Sequence, residues 1–366
     1  MTLRNHFPWL AFLVILGSAE QALPATLFVT SPQFGICVTS EDAHYQYHWG
    51  ALQPEAGQFS FSPLGQAPLA PHITVPQDAV PGDLLHVSVE EPEDINSLTA
   101  QILGPKQQSV SRGIGFRPNA QQKDEWVILV GVPNVTTKGS YTLSLTAAAG
   151  ARNVLNLSSF SVRARTFRFE RIVVTIDMEK IHTSEDPRKI AEAREFVSIV
   201  TTAHPDAVFE LGTMRNPLPD ARRTTGYGDR RKFVYPDNSS DYSVHEGLDL
   251  AVPAGTPVPA CGRGRVVLAA ERIVAGNTVV VEMLPGLFSC YFHLSEIDVK
   301  EGDIIQQGDL IGKVGMTGFA TGPHLHWELD ALGVAVDPDA LTSGAILDKT
   351  VESGEIENAK APKGGE

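Results

Sequence analysis

Four histidines and one aspartate in the last third of the chain are the side chains best suited to chemistry. They are His245, Asp249, His293, His324 and His326, and that third of the chain has no other histidine. Three short segments hold them, HEGLD, YFHLS and GPHLHWEL. Neutral imidazole and carboxylate groups are the usual ligands of a catalytic zinc ion. The set therefore predicts a metal site with general bases beside it.

The first pair, His245 and Asp249, is four residues apart. In a helix this spacing would put both side chains on one face, but Gly247 between them and Pro253 after them disfavour a helix. On a straight strand the two Cα atoms would lie about 13 Å apart. We therefore expect the segment to bend at Gly247, which also leaves space for the metal. Alone, the H-x-x-x-D pattern is a weak signal that occurs by chance.

The second pair, His324 and His326, is stronger. On a strand both imidazoles face one side, with their Cα atoms about 6.6 Å apart, while Leu325 and Trp327 face the other. One imidazole can then be a ligand and the other can act beside it. Glu328 falls on the same face, and we interpret it as a carboxylate that orients a ligand imidazole. A surface salt bridge is the alternative for Glu328.

His293 ends the strand-like segment FSCYFHL. Tyr291 shares its predicted face, whereas Cys290 and Phe292 face the other way. A single histidine in such a place is more often structural, so the candidacy of His293 depends on the other two motifs. Tyr291 is a further candidate for a supporting role at the site.

The region 221–342, which contains the five candidates, is predicted to be all β. Its glycines between 302 and 322 are dense enough to mark tight turns between short strands. The strand-like segments ahead of these turns are 256–260, 265–270, 277–283 and 287–294.

A second β region lies upstream. Segments rich in β-branched and aromatic residues alternate with turn residues, and they predict a β-sandwich of immunoglobulin-like type over 72–165. We expect it to be a spacer or regulatory module. Its strand-like segments are 84–90, 98–103, 125–132, 139–147 and 158–164.

The linker 166–220 between the two β regions is predicted to contain one helix, over 186–200. Ser184 can cap it and Pro187 suits its first turn. Its predicted apolar face consists of Ile190, Ala193, Val197 and Val200.

The two ends of the chain have their own patterns. Residues 1–25 combine Arg4 with an apolar run and small residues, which is typical of an export signal, and an uncleaved anchor is the alternative. Residues 26–71 form an N-terminal extension without a clear pattern. The polar residues 343–366 are predicted to be a disordered tail.

Composition limits the function classes. The 366 residues suffice for two or three domains, and the formal charge of −14 argues against nucleic-acid binding. We expect an exported monomer with no membrane span in the mature chain. Of the three cysteines, Cys37, Cys261 and Cys290, the last is predicted to be a buried thiol. A bridge between Cys261 and Cys290 is the open alternative.

The motifs of 221–342 resemble the catalytic domain of the lysostaphin/LytM-type zinc metallopeptidases. The family pattern is H-x-G-x-D, then Y-x-H-L, then G-x-x-G-x-T-G-x-x-T-G-x-H-L-H-[FW]. The chain reads HEGLD, YFHL and GKVGMTGFATGPHLHW at these places, and its TTGYGDRR segment (224–231) is similar to the family's entry strand. It departs from the family at EMLPG (282–286), where relatives often have a histidine that is not a ligand.

The resemblance implies a fold, a metal and a function. The fold would be an all-β duplicated hybrid motif of the barrel-sandwich type. His245, Asp249 and His326 would bind Zn²⁺ with water in the open position, and His293 and His324 would be the catalytic imidazoles. The substrate would be the peptide stems or cross-bridges of bacterial peptidoglycan, in the periplasm or cell envelope. Either a cross-link to a diamino acid or a glycine bridge could be cut, and we favour the former.

Two rival interpretations remain open. A catalytically inactive relative could bind peptidoglycan or activate an amidase, but such proteins usually lose metal ligands, and this chain keeps all five motif residues. A cytosolic phosphocarrier of the sugar phosphotransferase system could share the glycine-rich β architecture. The export signal and the H-x-x-x-D motif argue against it.

Overall fold

The computed structural model describes most of the chain after residue 77. The expected export signal (1–25), apart from Val14–Ile15, and the expected tail (343–366), apart from Ile346, lie outside the described residues. Of the extension 26–71, strands alone are described, without their side chains. The described residues are 14–15, 26–31, 34–41, 44–55, 58–63, 72–74, 77–90, 95–118, 125–149, 152–342 and 346.

Strands dominate the described residues, so the predicted mainly β class is confirmed. The strands are β1 (Val14–Ile15), β2 (Thr26–Ser31), β3 (Phe34–Glu41), β4 (His44–Glu55), β5 (Gln58–Pro63), β6 (His72–Thr74), β7 (Asp78–Ala79), β8 (Leu84–Glu90), β9 (Ser97–Leu103), β10 (Ser109–Phe116), β11 (Glu125–Gly131), β12 (Gly139–Ala149), β13 (Arg152–Val162), β14 (Phe169–Val173), β15 (Arg222–Thr225), β16 (Arg230–Val234), β17 (Ser240–Val244), β18 (Gly247–Ala251), β19 (Pro257–Pro259), β20 (Gly264–Arg272), β21 (Gly276–Leu284), β22 (Leu287–Ile297), β23 (Ile304–Ile305), β24 (Leu310–Val314), β25 (Leu325–Ala331) and β26 (Ala335–Val336). The helices are α1 (Ile176–Thr183), α2 (Pro187–Val200) and α3 (Pro338–Thr342).

The first unit of the chain is an antiparallel meander. Strands β1 to β5 follow one another in sheet order, each paired with the next. These five strands lie in the first of the two compact units of the chain.

The second unit begins with an eight-stranded sheet, in the order β6-β8-β11-β10-β9-β12-β13-β7. Val87 and Val89 of β8 and Phe160 and Val162 of β13, near opposite edges, belong to one buried core. The sheet therefore curls until its two halves face each other, as a sandwich requires. Its immunoglobulin-like type stays a prediction.

The ten-stranded sheet of 222–336 carries the candidate residues. Its central path runs β15-β18-β25-β22-β21-β20-β23, and β19, β24 and β26 pair at its margins. Leu325, Trp327 and Leu329 of β25 alternate into a large buried core. His326 and Glu328 consequently lie on the opposite face of this strand, which is the face of the candidate site.

The two β regions share part of their core. Strand β11 is buried on both faces: Trp126 and Ile128 belong to the sandwich core, whereas Val127 and Leu129 belong to the core of the ten-stranded sheet. Arg165 forms an ion pair with Asp337, which joins the end of the sandwich to the end of that sheet. The sandwich is thus packed against the ten-stranded sheet.

The linker helix is confirmed, but its cap and its packing face differ from the prediction. Asp186 caps α2, with its side chain accepting a hydrogen bond from the Arg188 amide at 2.8 Å, and Ser184 instead ends α1, a helix that the sequence did not reveal. Ile190 and Val197 are 59% and 56% exposed.

The packing face of α2 is formed by Phe196, Ile199 and Val200. The ring of Phe196 meets Phe292 edge-on with the ring centroids 5.9 Å apart. Because this aromatic contact buries more apolar area than Ile190 could, it decides which side of the helix faces the sheet.

Two further observations complete the fold. Cys261 and Cys290 are both buried free thiols, so the open alternative of a bridge between them is not formed. Among the described residues, no helix has both the length and the apolar character that a membrane crossing requires.

Candidate active site

The pairing of β18 with β25 brings two of the candidates together. Asp249 and His326 lie directly opposite each other in this antiparallel ladder. His245 lies between the end of β17 and the start of β18, so the strand is interrupted at residues 245–246, just before Gly247, where the bend was expected. A Cβ on Gly247 would lie 2.4 Å from the Trp327 carbonyl and 2.9 Å from Nε2 of His326. Glycine at this position therefore allows the close approach of the two strands.

Three donor atoms meet at the centre of the site. Nε2 of His245 lies 3.0 Å from Oδ1 of Asp249 and 2.9 Å from Nδ1 of His326, and the last two atoms are 3.0 Å apart. Zinc bonded at about 2.05 Å with tetrahedral angles would hold its donors about 3.3 Å apart. The observed triangle is thus within a few tenths of an ångström of the separation that a small divalent cation requires.

The remaining ring nitrogens of these two imidazoles have hydrogen-bond partners. Nδ1 of His245 donates to the Gly226 carbonyl at 2.8 Å, and Nε2 of His326 donates to Oε2 of Glu328 at 3.2 Å. These partners fix the tautomers and aim the free lone pairs at Asp249. Three lone pairs that converge at such short distances repel one another unless a cation or a proton lies among them.

The other two imidazoles lie beside this triangle. Nδ1 of His324 donates to the Gly322 carbonyl at 2.8 Å, and its Nε2 lies 3.5 Å from Oδ1 of Asp249. Nδ1 of His293 donates to the Thr317 carbonyl at 2.8 Å. The ring centroids of His293 and His324 are 4.9 Å apart. Each ring thus keeps Nε2 as a proton acceptor.

His293 adopts an unusual backbone conformation. Its φ of 61° is in the left-handed region, which residues other than glycine rarely enter. Because of this backbone conformation, the His293 imidazole does not lie on the same face of β22 as Tyr291, whose side chain is in the core. The strain is local and coincides with the residue that faces His324.

Tyr291 is not brought to the cluster. Its side chain is buried in the core on the other face of the sheet, where its hydroxyl accepts a hydrogen bond from the Cys261 amide at 2.9 Å. Glu328, the other supporting candidate, does contact His326, and its side chain is buried.

Burial and charge set the proton affinities at the centre. Burial lowers the pKa of His245 to about 4 and that of His293 to about 3. Burial alone would lower the pKa of His326, but its hydrogen bonds with Asp249 and Glu328 raise it to about 9. Burial alone would raise the pKa of Asp249, but its close contacts with His245 and His326 hold it well below its usual value.

Several residues at the site were missed by the sequence reasoning. Arg231 of β16 donates a hydrogen bond to Oδ2 of Asp249, the carboxylate oxygen that does not face the histidines. Glu170 of β14 lies 3.7 Å from Nε of Arg231 and accepts a hydrogen bond from Thr225 at 3.1 Å. Arg231 is the last residue of the TTGYGDRR segment, so a family resemblance was the one available signal.

A cleft of about 680 Å³ opens beside the cluster. Asp249 and His324 form part of its wall, and strand β14, from the linker, forms another part. Its lining residues are Glu170, Arg171, Ile172, Arg222, Thr224, Thr225, Arg231, Asp249, Ala251, Thr321, Gly322, Pro323 and His324.

Comparisons with known proteins centre on this part of the chain. The model of peptidase family M23 matches residues 243–338. The peptidoglycan DD-endopeptidase ShyA of Vibrio cholerae is 45% identical over 93 residues, which are 25% of this chain and 22% of that protein. An uncharacterized metalloprotease of Buchnera aphidicola is 38% identical over 107 residues, 29% of this chain and 28% of its own length.

A solved structure is similar to part of the chain. The catalytic domain of the antimicrobial peptidase lysostaphin from Staphylococcus simulans is 31% identical, with 34% of this chain and 95% of that chain covered and a TM-score of 0.29. The present chain spans about a quarter of the length of these two curated relatives.

Proposed function

We propose, from the match of residues 243–338 to the model of peptidase family M23, that the chain is a zinc-dependent endopeptidase that hydrolyses peptide bonds of bacterial peptidoglycan. The observation that carries the proposal is the triangle of His245, Asp249 and His326, with two further imidazoles beside it. The relatives that match this region include proteins named peptidoglycan DD-endopeptidase and metalloprotease.

We assign the metal to the three converging donors. Two neutral imidazoles and one carboxylate are a donor set that suits zinc, and three protein ligands leave a position open for chemistry. Oδ2 of Asp249 is held by Arg231, which leaves Oδ1 for the ion. A zinc ion supplies Lewis-acid chemistry: it polarises a carbonyl and increases the acidity of water.

His293 and His324 would carry the proton transfers. Both donate Nδ1–H to a backbone carbonyl, so Nε2 of each is free to accept a proton from an attacking water or to donate one to the departing amine. Nε2 of His324 is 3.5 Å from Oδ1 of Asp249, close to the cluster. Burial holds the pKa of His293 near 3, so this imidazole is neutral at physiological pH, and its Nε2 is a base or a hydrogen-bond acceptor.

We infer the substrate and the compartment from the similarity of residues 243–338 to peptidase family M23. We propose that the bond cut is a peptide cross-link of the cell wall, and that the protein acts in the bacterial envelope after export. The sandwich and the ten-stranded sheet share a buried core, so we expect both to be located together in the envelope.

The test combines metal content with product analysis. Purified wild-type protein, His324→Ala and the control His86→Ala, which lies on β8 in the sandwich, are assayed for zinc and for release of fragments from purified sacculi. We expect one zinc per chain in all three proteins, and conversion of cross-linked dimers to monomers by the wild type and the control. His324→Ala should be slower by at least about 100-fold. Zinc without cleavage in the wild type would contradict the hydrolase and favour a binding or amidase-activating role.

A further inference from the structure

Two arginines line the cleft without any partner of their own. Arg171 of β14 and Arg222 of β15 both line it, as do Asp249 and His324 of the cluster. Both arginines are exposed, and neither guanidinium group makes a hydrogen bond or ion pair with another described residue. The third arginine of the cleft, Arg231, is already held by Asp249 and Glu170.

A neighbouring arginine that does not line the cleft has an acidic partner. Arg223, the next residue after Arg222, binds Asp339 through two hydrogen bonds of 2.6 and 2.8 Å. The chain carries a formal charge of −14, so carboxylates are abundant near most of its surface. Two unpaired guanidinium groups in one cleft of such an acidic protein form a local site for an anion.

The strand pairing places Arg222 two residues along the ladder from Asp249. Arg222 lies opposite Ala251, which is two residues beyond Asp249 on β18. Two residues of strand correspond to about 7 Å. An extended substrate whose scissile bond lies at the cluster would therefore present its neighbouring residue to Arg222, in a cleft whose lining also includes Arg171.

We propose that Arg171 and Arg222 bind a free carboxylate of the substrate, next to the scissile bond. Guanidinium groups recognise carboxylates through paired, charge-assisted hydrogen bonds. This assignment rests on the proposed function and narrows it: the substrate is a cross-linked stem with a free carboxylate beside the bond that is cut, whereas an uncharged glycine bridge would leave both arginines unpaired. Arg171 belongs to the linker, outside the matched residues 243–338. The linker strand thus contributes to specificity.

The experiment uses two synthetic cross-linked stem peptides that differ in one group, a free carboxylate beside the scissile bond or its carboxamide. Binding to the full-length, metal-free protein is measured first, because a bound zinc ion would itself attract a carboxylate. We expect the wild type to bind the carboxylate peptide roughly 10-fold more tightly or better. The double variant Arg171→Gln/Arg222→Gln should reduce that preference to less than about twofold, and Arg112→Gln, an exposed arginine on β10, should keep it.

The zinc-loaded protein then separates this inference from the hydrolase proposal. Cleavage with the same selectivity, lost in the double variant, supports both. Cleavage of the two peptides at equal rates, or a preference that survives in the double variant, overturns the carboxylate site and leaves the hydrolase intact. Binding preference without cleavage of either peptide supports the carboxylate site and overturns the hydrolase.

Discussion

Arg231 donates a hydrogen bond to Oδ2 of Asp249, the oxygen opposite the one that His245 and His326 face. The guanidinium group thereby orients the carboxylate and balances its charge in a buried place. Glu170 in turn lies beside Arg231, so a residue of the linker is connected to the proposed metal ligand through one arginine. The linker strand β14 pairs in parallel with β16, which carries Arg231, and this pairing makes the connection possible.

Replacement of Arg231 by Gln should weaken zinc binding by about 10- to 100-fold, because residues that orient a ligand typically have effects of this size. Competition with a chromogenic chelator measures the affinity. The matched control is Lys232→Gln, the next residue on β16, which removes the same charge but does not contact Asp249. Equal affinities for the Arg231 variant and the control would contradict the orienting role.

Zinc binding at pH 7 should release about one proton per metal ion. In the metal-free protein the pKa of His326 is about 9, above pH 7, so this ring is an imidazolium, while the pKa values of His245 and His293 are about 4 and 3, and these rings are neutral. The ion must displace the extra proton of His326. Calorimetric titration in buffers of different ionisation enthalpy counts the protons.

The pH dependence of that release has a definite direction. A group whose pKa is raised stays protonated below it, so the release should decline as the pH rises through about 9 and the ring loses its proton before the metal arrives. In Glu328→Gln, which lacks the carboxylate that helps to hold the imidazolium, the decline should occur at lower pH. Release that does not change between pH 7 and 10 would refute the assignment.

Much of the peptidase sheet was predictable because its strands are long and apolar. The segments expected at 265–270, 277–283 and 287–294 lie within β20, β21 and β22. Strand β10 was missed because Gly113 and Gly115 interrupt its pattern. Both glycines approach neighbouring atoms so closely that a Cβ would lie 2.4 Å and 2.7 Å from them, a constraint that appears only after folding.

The site was predictable to the extent that it depends on residue type and strand alternation. The spacing of His324 and His326 predicted that both would face one side, and their contacts with Asp249 agree with it. Strand alternation predicted that Tyr291 and His293 share one face. This does not hold, because the positive φ of His293 interrupts the regular alternation between the two residues. Three of the four partners of the imidazoles could not be predicted, since they are backbone carbonyls whose positions depend on tertiary packing. The fourth, Glu328, was expected from its place on the same face as His326.

A substitution at Gly276, the first residue of β21, should affect catalysis, because Gly276 lies against Thr317. A Cβ on Gly276 would lie 2.2 Å from Oγ1 and 2.5 Å from the carbonyl oxygen of Thr317, the group that holds Nδ1 of His293. Gly276→Ala should therefore displace this carbonyl and lower kcat by about 10- to 100-fold, because small misplacements of a catalytic group are costly. Zinc content should be unchanged.

Gly255→Ala is the matched control for that substitution. Both glycines have a positive φ, of 66° and 84°, so both substitutions strain the backbone, but no atom lies within 4 Å of a Cβ on Gly255. The control should lose about 1 kcal/mol of stability and keep its kcat. Rates for sacculus digestion, measured well below both melting temperatures, distinguish the two variants. If Gly255→Ala lost as much activity as Gly276→Ala, strain alone would account for the effect.

The sandwich should unfold together with the peptidase sheet. Phe116 of β10 is buried in the core of the ten-stranded sheet together with Val127 and Leu129. Phe116→Ala should lower the free energy of unfolding by about 3–5 kcal/mol and shift a single cooperative transition to lower denaturant concentration. Val135→Ala, at a side chain that is 67% exposed, should change it by less than about 0.5 kcal/mol. Hydrogen exchange resolves the two regions, and loss of protection in the sandwich alone would show that they are energetically separate.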